Sequence, residues 1–359
     1  MQIEEHVQLA PFTTLGIGGP ARWLLTATTQ ADVVAAVDFA RERTLPVFVL
    51  GGGSNLLIAD DGFAGVVLRM AIPGISKEIA TDGRTLVRAG AGEPWDGFVQ
   101  FAVAADLAGV ECLAGIPGTV GGTPVQNVGA YGQEVAETIA VVHAFDTQTG
   151  GFVELSNEDC GFSYRTSVLN TSERGRYIVV RVDFRLQPGG APKLAYADLR
   201  KHFGFTVNGV PGDVTSAASP TLSEVADAVR DIRKSKGMVF DAADPNSHSA
   251  GSFFRNPIVP QEALLRVSEA SGLAVDAVPH WPAGDGLVKL PAAWLLERAG
   301  FERGYALGNA GISTRHTLAL VNRGSATAAD MIALRERIIA DVASKFGITL
   351  EQEPVSIGS

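Results

Sequence analysis

The chain has 359 residues, more than one ordinary hydrophobic core accommodates, so two or three domains are expected. Hydrophobic residues make up 46% and charged residues 19%, a profile that excludes a disordered chain. With 29 basic against 39 acidic residues the formal charge is −10, and no basic block offers a footprint for nucleic acid, so an anionic substrate must meet a local cationic cluster.

The opening, MQIEEHVQ, is acidic where a secretion signal would be basic. No run approaches the roughly 18 apolar residues needed to span a bilayer. Cys112 and Cys160 lie far apart without a CxxC pattern, so no disulfide framework and no membrane partner are expected, and the cytoplasm is the expected location. Short apolar runs at Ala21–Ala27, Pro46–Leu50 and Gly65–Met70 predict strands. Between the first two, Val33, Val34, Val37 and Ala40 share one face of a helix over Gln30–Arg43. Residues 139–147 and 177–186 predict further strands. From Gln187 to Pro220 the chain is rich in Gly, Pro, Ser and Ala, and only Lys193–Phe203 reads as compact. A new unit opens at Thr221, where Thr221 and Glu224 form a capping-box pattern ahead of Leu222, Val225, Val229 and Ile232. A helix over Thr327–Phe346, stopped by Gly347, and a strand over Ile348–Gly358 close the chain.

Two glycine-rich stretches stand out. In VFVLGGGSNLL a strand runs into Gly51, Gly52, Gly53, Ser54 and Asn55; in GIPGTVGGTPVQNVGAYG six glycines fall between Gly115 and Gly132. Glycine lets backbone approach a ligand closely, and successive free amides form an anion-binding nest. Between Arg88 and Arg165 there is no Lys or Arg, so the lysine of a phosphoryl-transfer loop is missing. The dinucleotide fingerprint GxGxxG is not matched either. What remains is a diphosphate held by backbone amides, assisted by Ser54, Asn55, Thr119, Gln126 and Asn127.

The segments GGGSNLLIADDGFAGVVLRM and GIPGTVGGTPVQNVGAYGQE resemble the FAD-binding half of the UDP-N-acetylenolpyruvoylglucosamine reductase (MurB) family. FTTLGIGGPA, SYRTS at 163–167, AGSFFRNP at 250–257 and LEQEPVSIG at 350–358 are similar to further motifs of that family, in its order. The resemblance implies an α+β fold: a two-subdomain FAD-binding module of the vanillyl-alcohol-oxidase (PCMH) type plus a C-terminal α+β substrate-binding domain. The implied bounds are 1–70 and 71–222 for the two subdomains, with 348–359 returning to the second, and 223–347 for the substrate domain. The 187–220 segment resembles the family's type that carries a substrate-covering tyrosine loop, with Tyr196. Non-covalent FAD would contact Gly51, Gly52, Gly53, Ser54, Asn55, Leu56, Ile116, Pro117, Gly118, Thr119, Gly121, Gly122, Gln126, Asn127, Gly129, Ala130 and Val180.

The implied substrate is UDP-N-acetylglucosamine enolpyruvate, and NADPH is the implied reductant. Hydride would pass from flavin N5 to the substrate's double bond, and the charge that develops spreads into the adjoining carboxylate. Arg165 would stabilise it, since a guanidinium stays charged and matches a carboxylate in a bidentate fork. Ser252, between Gly251 and two phenylalanines, would protonate the carbanion. Glu353 would hydrogen-bond the substrate carboxylate, which requires it to hold a proton. Glu351 has the same strand parity, and motif register favours Glu353. This chain departs from the family's usual pattern there, with Gln352 where Pro is common and Pro354 where Val is. The helix end Arg230–Lys236 offers the cationic cluster for the substrate's diphosphate. Lys236, Asn256, Tyr196 and Lys289 are the substrate-binding positions. The six histidines show no ligand spacing and no metal is expected. A monomer is expected. Two alternatives stay open: an FAD oxidase of a sugar or hydroxy acid built on the same module, and a non-catalytic flavin or nucleotide-sugar binder. The absence of histidine from GGGSN counts against a tethered flavin oxidase.

Overall fold

The computed structural model describes residues 1–205 and 219–358, so part of the Gly/Pro/Ser-rich stretch, 206–218, lies outside the described residues. The chain divides into two compact units.

The first unit comprises Met1–Val7, Ala21–Gly52 and Ala64–Ser235. Its four-stranded sheet has the order Gln2–Gln8, Pro20–Ala27, Phe63–Met70, Val47–Leu50, with the last two parallel. Helix α1, Gln30–Glu42, starts where Thr29 and Asp32 complete a capping box, and it buries Val33, Ala36, Val37 and Ala40. A second sheet runs Gly151–Ser156, Ile139–Asp146, Tyr177–Pro188, Thr85–Gly90, Ile75–Ile79, all antiparallel, and Leu107–Ala108 pairs with the end of the long central strand. Alternation along Tyr177–Pro188 turns Ile178, Val180, Val182, Phe184 and Leu186 inward. Helix α2, Trp95–Ala104, lays Trp95 and Phe98 on Phe184, with ring centroids 5.8 and 4.5 Å away. Helices α3, Ala197–His202, and α4, Leu222–Ser235, complete this unit. The capping pattern at Thr221 is realised: its amide donates to Glu224 Oε2 at 2.7 Å and its hydroxyl accepts from the Glu224 amide at 3.2 Å.

The second unit comprises Gln8–Pro20, Gly53–Phe63 and residues from Lys236 onward. It has its own core, in which Leu15, Ile17 and Leu57 from the early segments pack with Phe253, Phe254, Leu295, Leu334 and Ile338. One sheet has the order Ser249–Ser252, Ala319–Asn322, Ala310–Ile312, Ala306–Leu307; a smaller one has Ile258–Pro260, Leu287–Lys289, Trp281–Pro282. Helices α5 (Ala263–Ser271), α6 (Ala292–Arg298) and α7 (Ala328–Phe346) cover them. Asp60 caps α7 by accepting from the amides of Ala328 and Ala329 at 2.7 and 3.0 Å. Gly347 ends α7 at φ +69°, as its position predicts. The closing strand is shorter than the predicted Ile348–Gly358. It spans only Val355–Ile357, parallel to Leu56–Ile58, because Pro354 has no amide to extend the ladder.

Candidate active site

The glycine loops earn their composition through backbone packing. Cβ atoms at Gly51 and Gly52 would stand 2.9 Å from Thr119 Oγ1 and 2.5 Å from the Gly118 Cα, so the two loops of the first unit touch main chain to main chain. Gly53, in the second unit, has φ +62°, and a Cβ there would meet the Phe12 carbonyl oxygen at 1.9 Å. The Thr14 amide donates to Gly53 O at 3.1 Å. The FTTLG motif and the end of GGGSN are therefore one packed feature. Gly121 donates to Ala91 O at 2.9 Å, and Ala91 donates to Val180 O at 3.0 Å, which places Val180 beneath the second loop. Ile116, Pro117, Gly118, Gln126, Gly129 and Ala130 are half-buried, and Gly122 is exposed.

The basic-free stretch is met by cations from elsewhere in the first unit. Arg165 Nη2 donates to Gly129 O at 2.9 Å, and Arg233 Nε donates to Gly115 O at 3.1 Å. Arg233 is 7% exposed, and burial holds its pKa below the ordinary arginine value; Tyr131 and Asp96 oppose that shift while Arg165 adds to it. The helix end Arg230–Lys236 is the cationic cluster expected for the substrate's diphosphate. Within it Arg230 bonds Asp96 at 3.1 Å and Arg233 lies inside. A signal for Arg233 was present: Leu222, Val225 and Val229 line one face of α4, and position 233 continues that buried stripe. Asp96 also accepts from the Gly115 amide at 2.7 Å, so Gly115 is gripped at both its N–H and its C=O. Burial pushes the Asp96 carboxyl up, but the Gly115 amide, the Arg230 guanidinium and the Gln100 amide outweigh it and hold the group below the usual carboxylate range.

Arg165 stands in a tight turn in which the Thr166 amide donates to Ser163 O at 3.1 Å. Its φ is +55°, the left-handed region that a side-chain-bearing residue rarely occupies. Asn127 (φ +45°) and Tyr131 (φ +50°) in the second glycine loop share that feature. The Asn127 side chain joins the two places. Its Nδ2 donates to Glu134 Oε2 at 2.8 Å and to Ser163 O at 3.1 Å, and its Oδ1 accepts from the Ala136 amide. Unusual backbone concentrated at one place costs about 1–3 kcal/mol per residue and is a mark of function. Tyr196 is exposed and rests edge-on to Tyr131, with ring centroids 5.2 Å apart.

In the second unit, Ser252 sits beside a β-bulge. Ser249 pairs with Val321 and Ser252 with Ala319, so the strand carries one extra residue there, and Gly251 takes φ +76° to absorb it. Phe253 and Phe254 are fully buried on either side of the next peptide, while Ser252 is half-buried. The Glu353 amide donates to Phe253 O at 2.9 Å, and the Arg255 amide to Glu351 O at 3.0 Å. Ser252 and Glu353 thus stand on adjoining backbone segments; Glu353 is half-buried and Glu351 exposed. Asn55 contributes from the first glycine motif: its O accepts from the Val355 amide at 2.9 Å and its Nδ2 donates to Glu353 O at 3.5 Å. Ser54 and Leu56 flank it, half-buried. Asn256 Oδ1 accepts from the Ala292 amide at 2.9 Å at the start of α6. Lys289 is half-buried, with Ile258 and Trp281 opposite it on the two neighbouring strands. Lys236, also half-buried, directly follows α4 and precedes Gly237 at φ +68°. Among the described residues no group of three or more His, Cys, Asp or Glu is placed to hold a metal, and no helix is long and apolar enough to cross a membrane.

The loops fit a bound dinucleotide on an observation independent of motif. Thr119 Oγ1 is buried and makes no hydrogen bond among the described residues. A buried unsatisfied hydroxyl costs about 1–3 kcal/mol, and an oxygen-rich ligand against the loop would remove that cost.

Residues 21–156 match the family model of an FAD binding domain, and residues 244–357 match that of the UDP-N-acetylenolpyruvoylglucosamine reductase C-terminal domain. A protein of Streptomyces coelicolor named UDP-N-acetylenolpyruvoylglucosamine reductase is 48% identical, over 98% of this chain and 89% of its own. The protein of that name from Thermobifida fusca is 46% identical, over 98% of this chain and 97% of its own. Among solved structures, UDP-N-acetylenolpyruvylglucosamine reductase (MurB) from Thermus caldophilus aligns over 100% of both chains with a TM-score of 0.66 and 28% identity.

Proposed function

The chain belongs to the UDP-N-acetylenolpyruvoylglucosamine reductase family, and on that footing we propose that it reduces UDP-N-acetylglucosamine enolpyruvate to UDP-N-acetylmuramate, with FAD as its cofactor and NADPH as reductant. The observation that carries the reading is the hydrogen bond from the Glu353 amide to Phe253 O, which sets Ser252 and Glu353 on neighbouring segments of one unit. FAD, held by the glycine loops, would supply the hydride that the reduction needs, with NADPH as its source. The glycine loops and Thr119 hold the diphosphate of that cofactor. Arg165 forks onto the substrate carboxylate and stabilises its developing charge, a contribution on the order of 100–1000-fold in rate. Ser252 Oγ then gives its proton to the adjacent carbon, a step worth about 100–10,000-fold. Glu353, protonated, hydrogen-bonds the same carboxylate. Lys236, Asn256, Lys289 and Tyr196 hold the nucleotide-sugar part.

The reading also takes 1–70 and 71–222 as the FAD-binding subdomains; the return of 348–359 falls on the first of these rather than the second, because Val355–Ile357 pairs with Leu56–Ile58. It takes 223–347 as the substrate-binding part, and the protein as a cytoplasmic monomer. The match to an FAD binding domain over 21–156 and to the family's C-terminal domain over 244–357 supports the order of the modules.

Two half-reactions test the function. The purified protein should be yellow, bleach anaerobically with NADPH, and regain the oxidised spectrum when the enolpyruvyl UDP-sugar is added. The Ser252→Ala variant should bleach at the normal rate and then return at least 100-fold more slowly. Wild-type protein that is reoxidised only on admitting oxygen would make it an oxidase instead.

A further inference from the structure

We propose that Gln352 is a positioning residue for Glu353, acting through a side-chain clamp that runs from α7 to the closing strand; the inference rests on the role given to Glu353 above. The backbone around Glu353 has little ladder to hold it. Among the described residues the Phe254–Gln352 bridge precedes it, the strand begins at Val355, and Pro354 between them has no amide to donate. Side chains supply what the ladder lacks. Gln352 Nε2 donates to Pro354 O at 2.5 Å and to Ser356 Oγ at 3.0 Å, reaching past Glu353 to the two sides of the turn that follows it. The other end of the same amide, Oε1, accepts from Arg335 Nη1 at 2.8 Å.

Arg335 is itself fixed. Its Nε donates to Glu336 Oε1 at 3.0 Å, its side chain is 20% exposed, and Met331, Leu334 and Ile338 lock α7 into the core of this unit. A primary amide is planar, with its oxygen and NH2 on opposite sides. An arginine holding the oxygen therefore aims the NH2 at Pro354 and Ser356. Glu353 lies between Gln352 and the Pro354 carbonyl that this side chain restrains, with its own amide on Phe253 O and its own carbonyl against Asn55.

The test uses the FAD-loaded enzyme. Gln352→Ala should keep normal flavin content and normal bleaching by NADPH, and should slow reoxidation by the enolpyruvyl UDP-sugar about three- to tenfold, the scale of one or two lost hydrogen bonds. Arg335→Ala should give the same loss, and the double variant no more than either single one, because both substitutions cut one chain of contacts. Affinity for the UDP-N-acetylmuramate product, read from the shift it causes in the oxidised flavin spectrum, should change less than twofold. Normal flavin content and normal bleaching in both single variants separate this loss from a general loosening of the fold, which would lower them. Reoxidation of Gln352→Ala at the wild-type rate, while Glu353→Gln stalls, overturns the clamp. Wild-type reoxidation in Glu353→Gln instead removes the role of Glu353 itself. If Gln352→Ala fails to retain flavin, Arg335→Ala decides alone, by the same rate.

Discussion

An arginine at φ +55° in a two-residue turn is a position where glycine or asparagine would be cheaper. Its guanidinium on Gly129 O and the Asn170 amide on its own carbonyl, 3.2 Å away, are what hold it there. That conformation could not be read from SYRTS, whose letters only announce a turn with a cation in it. Thr119 was legible as a loop residue, but the orphaned state of its hydroxyl comes from packing. The two ligation states should therefore respond oppositely to Thr119→Val. In the apoprotein the variant should be as stable as wild type or more so, by up to about 1 kcal/mol, since an unsatisfied buried hydroxyl has been removed. With FAD it should melt lower and release the cofactor faster. Apo and holo melting temperatures measured side by side check this, and a fall in both states would mean that Thr119 serves the fold alone.

Elements were the most legible level. Helix α1, the capping box at Thr221, the helix from Thr327 and its stop at Gly347 depend on residues within a few positions of each other, so periodicity and capping chemistry find them. Restraints imposed on an element from far along the chain were not legible. Asp60 caps α7 from 268 residues away, and α2 and α4 together grip Gly115 through Asp96 and Arg233. The Asp96 clamp has a pH signature. Its carboxyl is held below its unfolded value, so its stabilisation is fully present above the unfolded pKa of about 4 and is lost as pH falls through the folded value. Asp96→Asn should cost about 1–2 kcal/mol at pH 7. The gap between the variant and wild-type melting temperatures should stay constant down to about pH 4 and close below it. A gap that widens in acid would show that the carboxylate is not stabilised in the folded protein.

At the scale of the molecule, burial governs both cysteines. Desolvation pushes the thiols of Cys112 and Cys160 up to about 12, and both are fully enclosed in the core of the first unit. A thiol reagent at pH 8 should therefore find neither in the native protein, and both after denaturation in urea, where a thiol returns to about 8.5. Rapid labelling of one site in native protein would place that site outside the core.

The glycine-rich loops, the α+β class and the order of the family motifs were readable from the chain alone, because each depends on residues adjacent in sequence and on composition that long contacts do not alter. Tertiary structure decided which unit each segment joins. Residues 8–20 and 53–63 pack with the C-terminal half, where Leu15, Ile17 and Leu57 complete a core that residues 236–358 share. It likewise decided that cations absent from the second glycine loop reach it as Arg165 and Arg233, and that Glu353 is framed by Gln352 and Arg335. Burial and electrostatic pairing act through space, and their range along the chain is set only once the cores have formed.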